Sequence, residues 1–402
     1  MKMANESITA AKGFLAAGIS CGIKKSGKND LGLIVCPTGA KAAGVFTTNK
    51  IVSPAVVVSK KHVKSGGIYA VVVNSVIANA CTGEEGYKNA VKMCERTAAE
   101  IEEKSKNVLV ASTGVIGEQL PIKKVLTGIS KASKKLSASD KAGLDFTKAI
   151  MTTDRVAKQA VRRINISWKK VTIAGTIKGA GMIGPNMATM LCFITTDAAI
   201  SKGLLGKALK KAVSVTLNKV TVDGHQSTND TALILASGLA GNRVISSECR
   251  RYKKFSKALF ELCDDLGRQM LMDAEGATRI FKVFVKGATS GNDAAKAARA
   301  IADYPLVKCA VNGADPNWGR IICAVGSAGV KLNAGKISCK LGDVLVFNNG
   351  KAVKFDVKKA SKVISKPEHI ITVDLGVGKS SDFCYGCDLS REYVTINADY
   401  HT

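Results

Sequence analysis

Lys178-Gly179-Ala180-Gly181-Met182-Ile183-Gly184-Pro185-Asn186-Met187-Ala188-Thr189-Met190-Leu191 opens as a glycine-rich loop and runs into the apolar stretch 190–194. A small residue, Ala188, stands directly before Thr189. A threonine hydroxyl is a weak nucleophile and needs a base beside it. A free α-amine on the same residue can be that base, since its pKa is about 7.7–8.0. Inside a chain the same nitrogen is an amide and accepts no proton. A cut before Thr189 would therefore create the catalyst. Gly179, Gly181 and Gly184 allow backbone conformations that a Cβ resists, and Pro185 fixes one φ angle. Together they could press the Ala188 carbonyl against the Thr189 hydroxyl. A glycine-rich turn feeding a buried strand has the same spacing, so the stretch alone leaves both readings open.

Working outward, residues 171–177 read as the strand leading into this loop and 190–197 as a buried strand leaving it. A nucleophile opening a central strand would be held rigidly. Residues 68–75 form a β-branched strand that enters the small polar loop 78–83, and 86–105 carry helical periodicity. Residues 107–111 are a further short strand, ending in Ser112-Thr113-Gly114. A hydroxyl residue followed by glycine at a strand end can offer two donors to an oxyanion; an ordinary turn fits the same residues. Residues 30–36 read as a strand and 42–49 as a strand and turn. Helices are expected over 121–148, 204–220, 255–272 and 292–303, and a strand over 393–396. Residues 311–320 read as a turn-rich segment opening another helix, and Asn349-Gly350 as a hairpin turn. Alternating strands and helices with hairpins predict an α/β fold of layered mixed sheets packed with helices.

A length of 402 residues suggests two to three domains. The formal charge, 59 − 32 = +27, permits nucleic-acid binding. The lysines are dispersed, however, and aromatics are only 5%, so no stacking platform is laid out and a solvated basic surface is expected. No apolar run reaches the ~18–20 residues of a membrane span, and residues 1–7 lack the apolar core of a signal peptide. A cytoplasmic enzyme is the expectation. Most of the 12 cysteines sit in apolar surroundings as packing residues. The lone CxxC, Cys384-Tyr385-Gly386-Cys387, has no second pair.

Many segments taken together resemble one known family. They are Lys12-Gly13-Phe14, Gly44-Val45-Phe46-Thr47-Thr48-Asn49, Ala78-Asn79-Ala80-Cys81-Thr82-Gly83, Ser112-Thr113-Gly114-Val115-Ile116-Gly117 and Thr152-Thr153-Asp154. The stretch 178–191, Ser227-Thr228-Asn229-Asp230, Glu275-Gly276-Ala277-Thr278, Gly313-Ala314-Asp315-Pro316-Asn317-Trp318-Gly319-Arg320 and Asn397-Ala398-Asp399-Tyr400 continue the series nearly end to end. The chain resembles the ornithine acetyltransferases, which are glutamate N-acetyltransferases of the arginine pathway. The resemblance implies an N-terminal-nucleophile-like fold and self-cleavage between Ala188 and Thr189. That cut gives an α chain of residues 1–188 and a β chain of residues 189–402, which stay together, as two αβ pairs. It implies Thr189 as the acetylated nucleophile and Thr113 with Gly114 as the oxyanion hole. It implies substrate contacts at Thr152, Lys178, Thr189, Glu275, Asn397 and Thr402. The implied reaction is ping-pong transfer of acetyl from N-acetylornithine to glutamate, with no metal or nucleotide cofactor; acetyl-CoA stays open as a second donor. An N-terminal-nucleophile amidase or aminopeptidase, and more remotely a basic nucleic-acid-binding protein, are the alternatives. Two departures stand out. Val76-Ile77 replaces the family's usual Gly-Asn, and His225-Gln226 replaces its usual Asp-Thr.

Overall fold

The structure is a computed structural model that describes residues 6–184 and 190–399. Its chain divides into two compact units. The first comprises Met1–Asn218 with His225–Met270, and the second Lys219–Gly224 with Leu271–His401.

The first unit holds β1 (Leu15–Ile19), β2 (Leu31–Phe46), β3 (Ile68–Asn74), β4 (Val108–Ser112), β5 (Lys158–Ile166), β6 (Lys169–Lys178), β7 (Leu191–Thr196) and β8 (Thr231–Ala236). They form one sheet in the order β4-β3-β2-β8-β7-β6-β5, with β1 also on β2. The pairs β3–β4 and β7–β8 are parallel and the rest antiparallel, so the sheet is mixed as expected. β2 is one continuous strand of 16 residues. Its register on β3 shifts between Val35 and Ala40, and its second half pairs with β8 instead. The unit's helices are α1 (Pro54–His62), α2 (Gly83–Glu100), α3 (Ile122–Ser133), α4 (Asp140–Ile150), α5 (Lys202–Val215) and α6 (Arg250–Met272), the last running just past the boundary.

Both faces of the sheet are covered, which explains why its strands read as nearly continuous apolar runs. Along β3, Ala70 and Val72 pack with Met93 of α2 and Ile129 of α3. The alternate residues Val71 and Val73 pack with Phe146 and Ile150 of α4.

The second unit holds β9 (Ile280–Ala288), β10 (Ser338–Leu341), β11 (Val344–Asn348), β12 (Lys351–Ala352), β13 (Glu368–Asp374) and β14 (Ser380–Cys387). Their order is β12-β11-β10-β13-β9-β14. With them are α7 (Gly291–Asp303), α8 (Pro305–Asn312), α9 (Trp318–Gly326), α10 (Val357–Ile364) and α11 (Arg391–Asp399). The β11–β12 hairpin turns on Asn349 and Gly350, both at positive φ, 47° and 75°, as the sequence predicts.

One expectation is corrected, one helix is added and one strand is extended. Residues 393–396 are helical, inside α11, not a strand. The Ser390 hydroxyl accepts the Tyr393 N–H at 3.4 Å and Glu392 lies in the first turn, two N-terminal helix signals that outweigh a weak β preference. Residues 305–312, ahead of the expected turn, form α8, with its proline in the first turn where a missing N–H is harmless. The strand over 171–177 is half of a longer hairpin, β5–β6, closed by Ser167 and Trp168 at φ 49° and 64°.

Candidate active site

Three of the expected site residues, Ala188, Thr189 and Thr402, lie outside the described residues. Their neighbours and the other expected contacts can be placed, unit by unit.

In the first unit, β4 ends at Ser112 and the Thr113–Gly114 turn follows. The Thr113 N–H donates to the Asn74 carbonyl at 3.1 Å, and the Val115 N–H to the Val76 carbonyl at 2.7 Å. The Ser112 hydroxyl donates to Asn74 Oδ1 at 2.7 Å. The turn is thus stitched to the chain following β3. Gly114 has φ +133°, and a Cβ there would lie 2.0 Å from both the carbonyl carbon and oxygen of Val76; only glycine lets the two backbones approach this closely. Val76, where the family usually has glycine, sits at φ +81°, a region costly for a β-branched residue.

Two consecutive residues ahead of β8 organise the rest. Asn229 donates from Nδ2 to the Ala78 carbonyl at 2.6 Å and to the Ser112 carbonyl at 2.8 Å. Asp230 accepts the Met190 N–H on Oδ1 at 2.8 Å. Adjacent side chains therefore hold the Thr113–Gly114 turn and the amide immediately following Thr189. Asp230 is fully buried, and its Oδ2 has no hydrogen-bond partner among the described residues. Burial drives its carboxyl well above the usual range. The Met190 N–H, the charge of Lys178 and the Ser227 N–H oppose this only in part.

Lys178, the last residue of β6, is 3% exposed, and its strand position pairs with Leu191 of β7. Thr152 lies in the loop after α4. The two are linked through Asp154. Its Oδ2 accepts the Thr152 N–H at 3.0 Å, and its Oδ1 accepts the Gly179 N–H at 2.7 Å and the Lys158 ammonium at 2.6 Å. Burial alone would raise the Asp154 pKa. Lys158, Lys178 and the Gly179 N–H outweigh it and hold the carboxyl below its ordinary value.

In the second unit, Asn397 of α11 donates to Glu275 Oε2 at 2.9 Å, so these two expected contacts meet. Glu275 is largely buried. Asp388 anchors the neighbourhood. It accepts the N–H groups of Thr278 and Arg279 at 2.8 and 2.9 Å, and the Thr278 hydroxyl and Asn312 Nδ2 at 2.7 Å each. The Glu275 and Asn312 motifs are joined through this one carboxylate.

Asp154, Asn229 and Asp230 stand in motifs quoted from the sequence, but without a role; Asp388 was not singled out. Their signal was only the presence of an acid or amide in a polar turn. His225 and Gln226 occupy exposed positions, whereas Val76-Ile77 lies against the Gly114 turn. Cys384 and Cys387 are buried in β14 and form no disulfide, and burial pushes the Cys384 thiol up to about 12, as befits packing residues.

With that geometry in place, comparison with known proteins is specific. A model of the ArgJ family matches residues 15–402. The arginine biosynthesis bifunctional protein ArgJ 1 of Clostridium acetobutylicum is 45% identical over 403 aligned residues, 99% of this chain and 98% of its own. The ArgJ protein of Symbiobacterium thermophilum is 43% identical over 98% of both chains. The crystal structure of the ArgJ protein of Bacillus halodurans is 40% identical, with a TM-score of 0.50, covering 52% of this chain and 98% of that one. The chain belongs to the ArgJ family.

Proposed function

We propose that this chain is an ornithine acetyltransferase of arginine biosynthesis, which moves acetyl from N2-acetyl-L-ornithine to L-glutamate through acetyl-Thr189. The observation that carries the site is the Asn229–Asp230 pair. One residue holds the Thr113–Gly114 turn and the next holds the Met190 amide, so the oxyanion donors and the residue after Thr189 share one support.

Maturation comes first in this reading. The Thr189 hydroxyl attacks the Ala188 carbonyl, the acyl group shifts from nitrogen to oxygen, and water hydrolyses the ester, leaving an Ala188 carboxylate and a Thr189 with a free α-amine and hydroxyl. The Bacillus halodurans chain supports a two-chain product, since it is nearly fully matched yet spans only about half of this chain. In the first half-reaction the amine takes the hydroxyl proton as Thr189 oxygen attacks the acetyl carbonyl. The Thr113 hydroxyl and Gly114 N–H stabilise the oxyanion. The C–N bond then breaks, the proton passes to the departing amine, and ornithine leaves. In the second, the glutamate amine attacks acetyl-Thr189 and frees the hydroxyl. Lys178 pairs with a substrate carboxylate, Glu275 takes the ammonium end of ornithine, Thr152 adds a contact, and Asn397 and Thr402 close the pocket. No cofactor enters either step. The named relatives are bifunctional; acetyl-CoA as a second donor is the corresponding proposal here, tested by supplying it to the mature enzyme with glutamate. A cytoplasmic assembly of two α and two β chains completes the reading. No helix among the described residues is long and apolar enough to cross a membrane.

Intact masses of wild type and Thr189→Ala decide the matter. Two wild-type fragments meeting between Ala188 and Thr189, and one uncut variant chain without transferase activity, are expected. An uncut wild type that still transfers acetyl would overturn the role of the α-amine. Rapid hydrolysis of acetyl-Thr189 with glutamate present would favour an amidase.

A further inference from the structure

We propose that Asp154 is a positioning residue for substrate binding, one buried carboxylate that sets the places of both Thr152 and Lys178. This rests on reading those two residues as substrate contacts. A buried ion pair is a weak contributor to stability, and an apolar pair of similar volume often serves as well. Yet the Asp154–Lys158 pair is buried with neither side chain exposed. What the carboxylate does with its other lone pairs distinguishes it. It accepts two backbone N–H groups from two separate loops, Thr152 after α4 and Gly179 after β6. Gly179 directly follows Lys178, so that bond fixes the backbone where the Lys178 side chain leaves it. The Thr152 loop is tied from its other end as well, by the Lys24 ammonium on the Met151 carbonyl at 2.9 Å. Lys158 neutralises the carboxylate without occupying the oxygen that Thr152 uses.

An asparagine cannot replace this group. It has one acceptor oxygen and one NH2, so whichever way the amide turns, one of the two backbone N–H groups faces a donor. Asp154→Asn alone takes one charge out of the buried pair and leaves the other, so the informative variant is Asp154→Asn with Lys158→Met, which removes both members. Its KM for N-acetylornithine and for glutamate is expected to rise roughly ten- to hundred-fold, as displacement of contacts by an ångström or less can do. Its kcat should fall much less, and its Tm and its maturation into two chains should stay near wild type. A purely structural role would move Tm and leave KM alone. An unchanged KM in the folded double variant overturns the inference. Lys178→Met separates the two levels. If it raises KM while the double variant does not, the inference falls and the substrate reading stands. If Lys178→Met leaves KM unchanged, the reading falls and takes the inference with it. Should the double variant not accumulate, Asp154→Glu keeps the charge beside Lys158 and displaces both oxygens by a methylene. The same rise in KM is then expected, and its absence overturns the proposal.

Discussion

Gly114 and Val76 touch each other through their backbones, and each strains what the other needs. A Cβ on Gly114 would drive into the Val76 peptide, so Gly114→Ala must move the turn that carries the oxyanion donors. Its kcat is expected to fall about 10²–10³-fold, the usual effect of losing one such donor, measured in the mature enzyme against an unchanged Thr189. Val76 is the reverse case. At φ +81° its backbone conformation costs about 1–2 kcal/mol, and being only partly buried against the core around Val72 and Met93 it returns less in packing than a fully buried valine. Val76→Gly should raise stability by about 1 kcal/mol in urea unfolding. A destabilised variant would mean that Val76 packing outweighs its backbone strain. Both stood out in the sequence, Gly114 after a hydroxyl residue at a strand end and Val76 in place of the family's usual glycine, but their contact did not. The strain at Val76 exists because Val115 and Asn74 fix the backbone around it, and those bonds come with the fold.

Strands β9 and β13 pair in parallel and bring His369 over Phe281, ring centroids 5.9 Å apart and nearly parallel. Burial lowers the His369 pKa from 6.5 to about 4, assisted by Arg279 and opposed by the Lys366 backbone and Asp388. The neutral ring is therefore the folded form. The unfolded chain takes up a proton below about pH 6.5 while the folded chain resists until about pH 4. Stability from this group is complete above the higher value and is lost as pH falls toward the lower one. At about pH 5 the loss is about 2 kcal/mol. His369→Phe, which keeps a flat ring on Phe281, should remove that part of the acid sensitivity; parallel pH–stability curves for the two proteins would refute it. At the same scale α11 shows how local propensity misleads. Tyr393-Val394-Thr395-Ile396 has strand composition, but Ser390 caps it as a helix, and Asn397 reaches Glu275 from that helix.

Across the whole molecule, the proposed cut falls inside the first unit's sheet. Strands β7 and β8, after the cut, lie between β2 and β6, which precede it. The fragments share two full ladders, β2–β8 and β6–β7, and separating them would expose the sheet core. The α and β chains should therefore co-elute as one species in native gel filtration and separate only in denaturant. Fragments that part under native conditions would contradict this sheet order. The formal charge of +27 adds repulsion between fragments, but it is screened within roughly 8 Å at physiological salt, whereas the shared ladders are buried.

Periodicity, turn residues and the 178–191 stretch determined much by themselves: the alternation of strands and helices, the buried strand after the glycine-rich loop, and the Asn349-Gly350 hairpin. Each depends on residues a few places apart, and side-chain period and φ preference are local properties. The tertiary structure alone decided what Asp154, Asn229, Asp230 and Asp388 do. Asn229 reaches Ser112 across 117 positions and Asp388 reaches Thr278 across 110. A donor meets its acceptor only when the sheet brings distant turns to one end, and nothing in the chemistry of a lone aspartate or asparagine names the partner in advance.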